Sequence, residues 1–219
     1  MKHLAAALLI AAAAVFAPAP ASATTILTFG QTLGGSPIVG TNNGLGSTTI
    51  SGVNVLIDIT QIDAALITPL GAFLNLTATS TAAATLVSGF VVQPFSGMFT
   101  ITSLPGGLGI NYLSATFTDA VFGAGASLTL SVADPPNSAA FTSDVIADLG
   151  LPTGISFSFA SVHPPVGIHN GSLSSFTSSV SGTFSGSKPQ NQTPEPGSLV
   201  LVGLAMLGLA ASLRRKSGR

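Results

Sequence analysis

The chain has 219 residues, of which 46% are hydrophobic and only 6% charged, with a net charge of -1 and no cysteine. Ordinary soluble domains carry about 25% charged residues, and here no Lys or Arg occurs between Ala23 and Lys188. A stretch without cations cannot neutralise phosphates, which excludes nucleic acid as a partner, and a chain without thiols has no disulfides, thiolate nucleophile or cysteine metal site.

Lys2 opens the chain, an apolar stretch runs from Leu4 to Ala17, and Ala21-Ser22-Ala23 forms an A-x-A cleavage pattern. The apolar stretch is short for a membrane span, and small residues fit the peptidase pocket. This predicts a signal peptide over residues 1–23, with Ala21 and Ala23 presented to signal peptidase and a mature chain that begins at Thr24.

Residues 24–187 read as a β-rich extracytoplasmic body. Short stretches alternate apolar with hydroxyl side chains and are punctuated by Gly, Pro, Asn and Asp, the pattern of half-buried strands and turns. In "VNVLIDIT" the residues Val53, Val55, Ile57 and Ile59 share one face; Leu74 and Leu76 oppose Asn75 and Thr77; Leu128, Leu130 and Val132 alternate with hydroxyls, as do Ile155, Phe157 and Phe159. Further strands are expected at 25–29, 85–92, 98–103, 111–118 and 173–184. About nine strands at such spacings predict an all-β fold, an antiparallel β-sandwich or a jelly-roll-like body. "SDVIADLG" is the one expected helix: Ser143 as its cap, Asp144 in its first turn and Gly150 as its stop. "TQIDAALITP" reads equally as a helical turn or a strand.

Ser and Thr occupy the outward positions where most proteins place Lys and Glu. With no cation in reach, Asp58, Asp63, Asp119, Asp134, Asp144 and Asp148 are expected in turns facing water. Asp58 with Asp63, or Asp144 with Asp148, are the pairs a Ca²⁺ ion would take, although the EF-hand pattern is missing. His163 and His169 lie six apart in a Pro-rich loop, and Asp144 and Asp148 are the nearest further ligands for a metal. A Ser-His-Asp set has its residue types but no G-x-S-x-G or S-x-x-K to mark a nucleophile. Carboxylate pairs for glycoside hydrolysis would all be Asp, since the body has no Glu, and the chain has no Trp to stack a sugar. The expectation is therefore a non-enzyme with no cofactor and no metal. Asn75, Asn170 and Asn191 sit in N-x-S/T patterns. Thr77, Thr79 and Thr81 would share one strand face, a small threonine rank suited to cross-strand packing or to ordering water.

A polar linker, 188–193, leads to Pro194-Glu195-Pro196, then an uncharged run of 17 residues from Gly197 to Leu213, then Arg214, Arg215, Lys216 and Arg219. As a helix the run would cover roughly 25 Å, near the lower limit for a bilayer core. Pro196 suits its first turn, and the basic residues stop it with the C-terminus cytoplasmic. The prolines keep the tripeptide extended on the outer side.

The order of these three parts, Pro194-Glu195-Pro196, the span 197–213 and the basic cluster 214–219, resembles the PEP-CTERM sorting signal of Gram-negative bacteria, over about the last 27 residues. The same signal is also labelled an ice-binding protein C-terminal domain, a label that concerns the tail and not the body. The resemblance implies an exosortase substrate: exported across the inner membrane, held briefly by its helix, cut near the motif and passed to the cell surface or beyond. It further implies an exopolysaccharide or biofilm setting, with exopolysaccharide as a partner and a structural role for the body. The rival readings are a carbohydrate- or ice-binding module and, further off, a secreted hydrolase.

Overall fold

A chain whose alternate residues are apolar can hide them only as a sheet with one covered face. The computed structural model, which describes residues 23–124, 128–134, 139–149 and 153–187, shows how that covering is done. Its strands are β1 (Thr24–Gln31), β2 (Ile38–Gly44), β3 (Ser47–Ile62), β4 (Leu70–Ser80), β5 (Thr85–Val87), β6 (Phe90–Leu104), β7 (Leu108–Ala124), β8 (Leu128–Asp134), β9 (Ala139–Thr142), β10 (Thr153–His163), β11 (Ile168–His169), β12 (Ser172–Leu173) and β13 (Phe176–Gly186). The expectations for residues 1–22, including Ala21, and for 188–219, including the linker, the motif, the apolar run and the basic tail, lie outside the described residues. Ala23 is described, exposed, and stands directly before β1. Among the described residues no helix is long and apolar enough to cross a membrane.

Hydrogen-bonded neighbours taken in turn from β1 are β3, β4, β6, β7, β8, β10, β13 and β1 again, every pair antiparallel. The sheet thus closes on itself through eight strand positions, each beside its neighbour in the chain. Three positions are interrupted. β2 continues β1 along β3, facing residues 47–51 where β1 faces 57–62. β5 continues β4 along β6, and β9 continues β8 along β7. All-β and antiparallel were expected. Two separate sheets or the crossed connections of a jelly roll were the expected detail, and the chain instead forms an up-and-down closed sheet. Short turns favour pairing with the next strand in sequence, and eight strands enclose an interior just wide enough for side chains to fill.

Phenylalanine does much of that filling. Phe157 on β10 meets Phe99 on β6 edge-on at 5.1 Å and Phe29 on β1 at 6.0 Å. Because β6 and β10 are not sheet neighbours, the Phe99 contact spans the interior. Phe122 gathers Phe95, Phe159 and Phe176 at 5.7–5.8 Å, and Phe141 lies 4.9 Å from Phe184.

The strand β3 corrects the simplest reading of its sequence. Thr48, Ile50 and Gly52 face inward, then Val55, Ile57 and Ile59, then Ile62. The inward set changes parity twice, so two bulges must intervene. One lies at Val53-Asn54, where Asn54 takes φ 51° and the pairing with β4 skips from Gly52 to Val55; the other lies at Thr60-Gln61 opposite Thr28-Phe29. Val53, expected inside, is therefore exposed at 67%. A bulge adds one residue to one strand and shifts every later side chain to the other face, which strict alternation cannot register. Leu74, Leu76, Ile155, Phe157, Phe159 and Val132 are buried as expected; the side chains of Leu128 and Leu130 lie outside the described residues.

Other expectations change in detail. The stretch 85–92 is a hairpin, β5 and the start of β6, turning at Ser88-Gly89 with φ 51° and 83°. The stretch 173–184 divides between β12 and β13. "TQIDAALITP" ends β3 at Ile62 and continues as a bend, with the Asp63 amide donating to the Ile26 carbonyl. The expected helix at 143–150 does not form over its described residues. Ser143 Oγ does accept from the Val145 and Ile146 amides at 3.2 and 3.0 Å, as a cap would. Yet the same hydroxyl donates to the Tyr112 carbonyl, and Asp144 is latched to Asn111 of β7 through both its amide and its carboxylate. Ile146 then enters the core. These bonds hold the segment flat against the sheet, and the helical turn that propensity favours is overridden. Gly150 lies outside the described residues.

The register predicts its own tests. A Cβ at Gly97 would press on the Thr77 carbonyl and lie 2.7 Å from Ala78 Cα, backbone that cannot yield, whereas one at Gly71 meets nothing within 4 Å. Gly97→Ala should cost about 1–3 kcal/mol and Gly71→Ala no more than about 0.5 kcal/mol in urea unfolding. Residues 24–187 expressed alone should give a β-type circular dichroism spectrum, unaffected by reductant and little affected by moderate salt.

Candidate functional site

The inward half of the alternation makes the core, so the outward half is what a partner meets. Register places those side chains in rows that cross the strands. Thr41, Thr49, Thr79 and Ser96 lie side by side on β2, β3, β4 and β6. Ser51, Thr77, Met98 and Thr116 form the next row, and Asn75, Thr100, Ser114 and Thr142 the one after. Further round, Thr28, Thr183, Ser156 and Ser131 form a row on β1, β13, β10 and β8, and Ser181, Ser158 and Thr129 another. Neighbours in a row are about 4.8 Å apart, and successive rows about 6.6–6.8 Å. Some hydroxyls satisfy one another, as in Thr28 with Thr60 at 2.8 Å, Ser114 with Thr142 at 2.8 Å and Ser131 with Ser156 at 3.1 Å.

The threonine rank expected at Thr77, Thr79 and Thr81 is thus shorter along the strand and wider across it. Thr77 and Thr79 point outward, while Thr81 lies past the end of β4, its amide on the Pro94 carbonyl. The lateral members Thr41, Thr49, Ser96 and Thr116 were missed because only pairing brings them alongside. A shallow open groove of about 450 Å³ on the outer side of β7, β8, β10 and β13 continues the theme, with Ser131, Ser156, Thr183 and Ser185 beside Val121 and Gly154. Its lining holds no titratable group.

The residues weighed for a metal or for catalysis are dispersed. His163 ends β10 and His169 sits on β11, both exposed. Asp144 and Asp148 lie toward the other end of β10, beside its start at Thr153: Asp144 bonds Asn111 near the start of β7, and the Leu149 carbonyl abuts Gly186, the partner of Thr153. An 11-residue strand therefore separates the histidines from these aspartates, roughly 30 Å at about 3.3 Å per residue. Asp58 faces outward from β3 between Gly30 and Gly71, and Asp63 follows the end of that strand. Asp58 and Asp119 were expected in turns; they stand instead on strands, Asp119 at a bulge of β7 with φ 57°. No group of three or more His, Asp or Glu able to hold a metal occurs among the described residues. Of the three N-x-S/T asparagines, Asn75 keeps its Nδ2 buried, Asn170 is exposed in a turn at φ 53°, and Asn191 lies outside the described residues. A buried amide nitrogen cannot accept a glycan.

Comparison with curated proteins and with solved structures gives no match. A family model described as the PEP-CTERM protein-sorting motif matches residues 192–216, which takes in Pro194-Glu195-Pro196, the apolar run and Arg214, Arg215 and Lys216. The chain thus carries a PEP-CTERM protein-sorting motif, the mark of an exported protein that an exosortase sorts to the cell envelope.

Proposed function

We propose that the sorted body is a non-catalytic structural component of the extracellular polysaccharide matrix. The observation that carries this reading is the outward surface: rows of Ser and Thr across the closed sheet, with no Lys or Arg anywhere from 24 to 187. Hydroxyls exchange hydrogen bonds with sugars and with water on similar terms, so such a surface stays wetted among neutral glycans without drawing in anionic polymers. The dispersal of the histidines from Asp144 and Asp148 supports a role without chemistry.

The route to that place follows from the two ends. Signal peptidase cuts after Ala23, and β1 begins at the next residue, so the mature chain starts within its fold. The apolar run 197–213 then holds the chain with Arg214, Arg215, Lys216 and Arg219 on the cytoplasmic side of the inner membrane. Exosortase grips the extended Pro194-Glu195-Pro196 and releases the body to the surface of the Gram-negative cell or beyond. The rows around Thr49, Thr77 and Thr79 favour a second reading, a carbohydrate- or ice-binding face.

N-terminal sequencing of the exported protein should give Thr24 first; intact Met1 as the main exported form would overturn the cleavage assignment. Replacing Pro194, Glu195 and Pro196 together by Ala should leave export intact and trap the chain in the membrane with its tail attached, as read by fractionation in a host that carries the exosortase. Neutralising Arg214, Arg215, Lys216 and Arg219 should instead weaken retention. The purified body should co-sediment with neutral exopolysaccharide to an extent that 0.5 M salt, taken as roughly three times physiological ionic strength, leaves unchanged. No co-sedimentation would remove the matrix role, and ice shaping or inhibition of recrystallisation would select the second reading.

A further inference from the structure

At the end of the closed sheet opposite Thr24 and Gly186, the β11–β12 hairpin folds across β2 and β3. Asn42 pins it by donating from Nδ2 to the His169 and Leu173 carbonyls at 3.0 and 2.8 Å. Beneath it lies a set of polar groups cut off from solvent. Gln93 on β6 is fully buried, and its Nε2 donates to the Gly46 carbonyl at 3.0 Å and the Ala82 carbonyl at 2.9 Å. Ser80 Oγ accepts from the Thr48 amide, and Thr48 Oγ1 accepts from the Leu173 amide at 3.0 Å. The Gly171 carbonyl accepts from the Ala84 amide at 2.7 Å. Ser172, fully buried, is therefore held on both sides by this same network.

Two groups in it meet no hydrogen-bonding atom of the protein: Gln93 Oε1 and Ser172 Oγ. Two carbonyls on Nε2 settle which end of the Gln93 amide is the oxygen. A buried polar atom without a partner is costly, and a chain that places two in one cap leaves one economical solution. The backbone comes close there: Gly46 and Gly171 approach each other at positive φ with Ala83 against both, an approach that glycine at both positions permits.

We infer that a water molecule is bound beneath the β11–β12 hairpin, donating one hydrogen to Gln93 Oε1 and exchanging a hydrogen bond with Ser172 Oγ. It latches the hairpin to β6 as part of the fold. The groups are neutral and no carboxylate belongs to the network, so water fits where a cation would sit without compensating charge.

A high-resolution crystal structure of the exported chain should show one ordered water within about 2.7–3.2 Å of both atoms. In solution, a slowly exchanging water should give NMR cross-peaks to the Gln93 side-chain amide, and Ser172→Ala should abolish them. The same variant should lower the thermal midpoint by about 2–4 °C, because it breaks a bridge. A hydroxyl that is simply buried dry would respond in the opposite way, so an unchanged or raised midpoint, or a cap with no ordered water, overturns the inference.

Discussion

Closure of the sheet is the constraint on which the rest depends. An open β-sheet presents unpaired N–H and C=O groups at its edges, and natural proteins blunt such edges largely with charged residues, lysine above all. The body has no lysine or arginine from 24 to 187. It removes most of its edges instead, leaving the short β5 and β9 paired on one side only. Each of the eight ring positions has a neighbour on both sides, and the pairing of β13 with β1 and β10 completes the circuit. A body whose only charged side chains are aspartates thus limits strand pairing between copies by closure rather than by lysines at its edges.

Closure sets the chemistry of both surfaces. The interior receives one residue in two, and Phe, Ile and Leu fill it through contacts that span the ring, as Phe99 and Phe157 do. The exterior receives the other half, where hydroxyls supply most of the polar surface and a few aspartates its charge. Where the ring bends or ends, amide side chains stand in for missing backbone partners. Asn54, displaced by the bulge in β3, accepts from the Gly106 amide through Oδ1 and donates its own amide to Asn75 Oδ1. Gln31 Oε1 accepts from the Val180 amide, and its Nε2 donates to the Gly35 and Ser36 carbonyls beside the interruption between β1 and β2.

The same closure bears on sorting. The first and last strands of the body are partners, with Thr24 opposite Gly186 and Thr24 Oγ1 donating to the Gly186 carbonyl at 3.1 Å. Both ends of the body therefore leave the ring at one place, and without β13 the ring is incomplete. The segment that leads to the sorting motif follows in sequence from the strand that closes the ring.

The sequence by itself determined the class and the sorting motif. Period-2 alternation in stretches such as 72–79 and 155–159 dictates strands with one apolar face, since no other local structure puts alternate residues on one side. The charge-free run before Arg214, Arg215 and Lys216, preceded by Pro194-Glu195-Pro196, is a linear signal, legible without folding because it is carried by the order of residues along one short segment. What only the tertiary structure decided depends on pairing between distant strands. The exposure of Val53 follows from a bulge set against β4. The failure of 143–149 to turn into a helix follows from its latch onto Asn111 and Tyr112. The alignment of Thr41, Thr49, Thr79 and Ser96, the separation of His163 from Asp144, and the burial of Gln93 beneath a hairpin some 80 residues later in the chain are matters of register. Register is a property of two strands together, and neither sequence segment contains it alone.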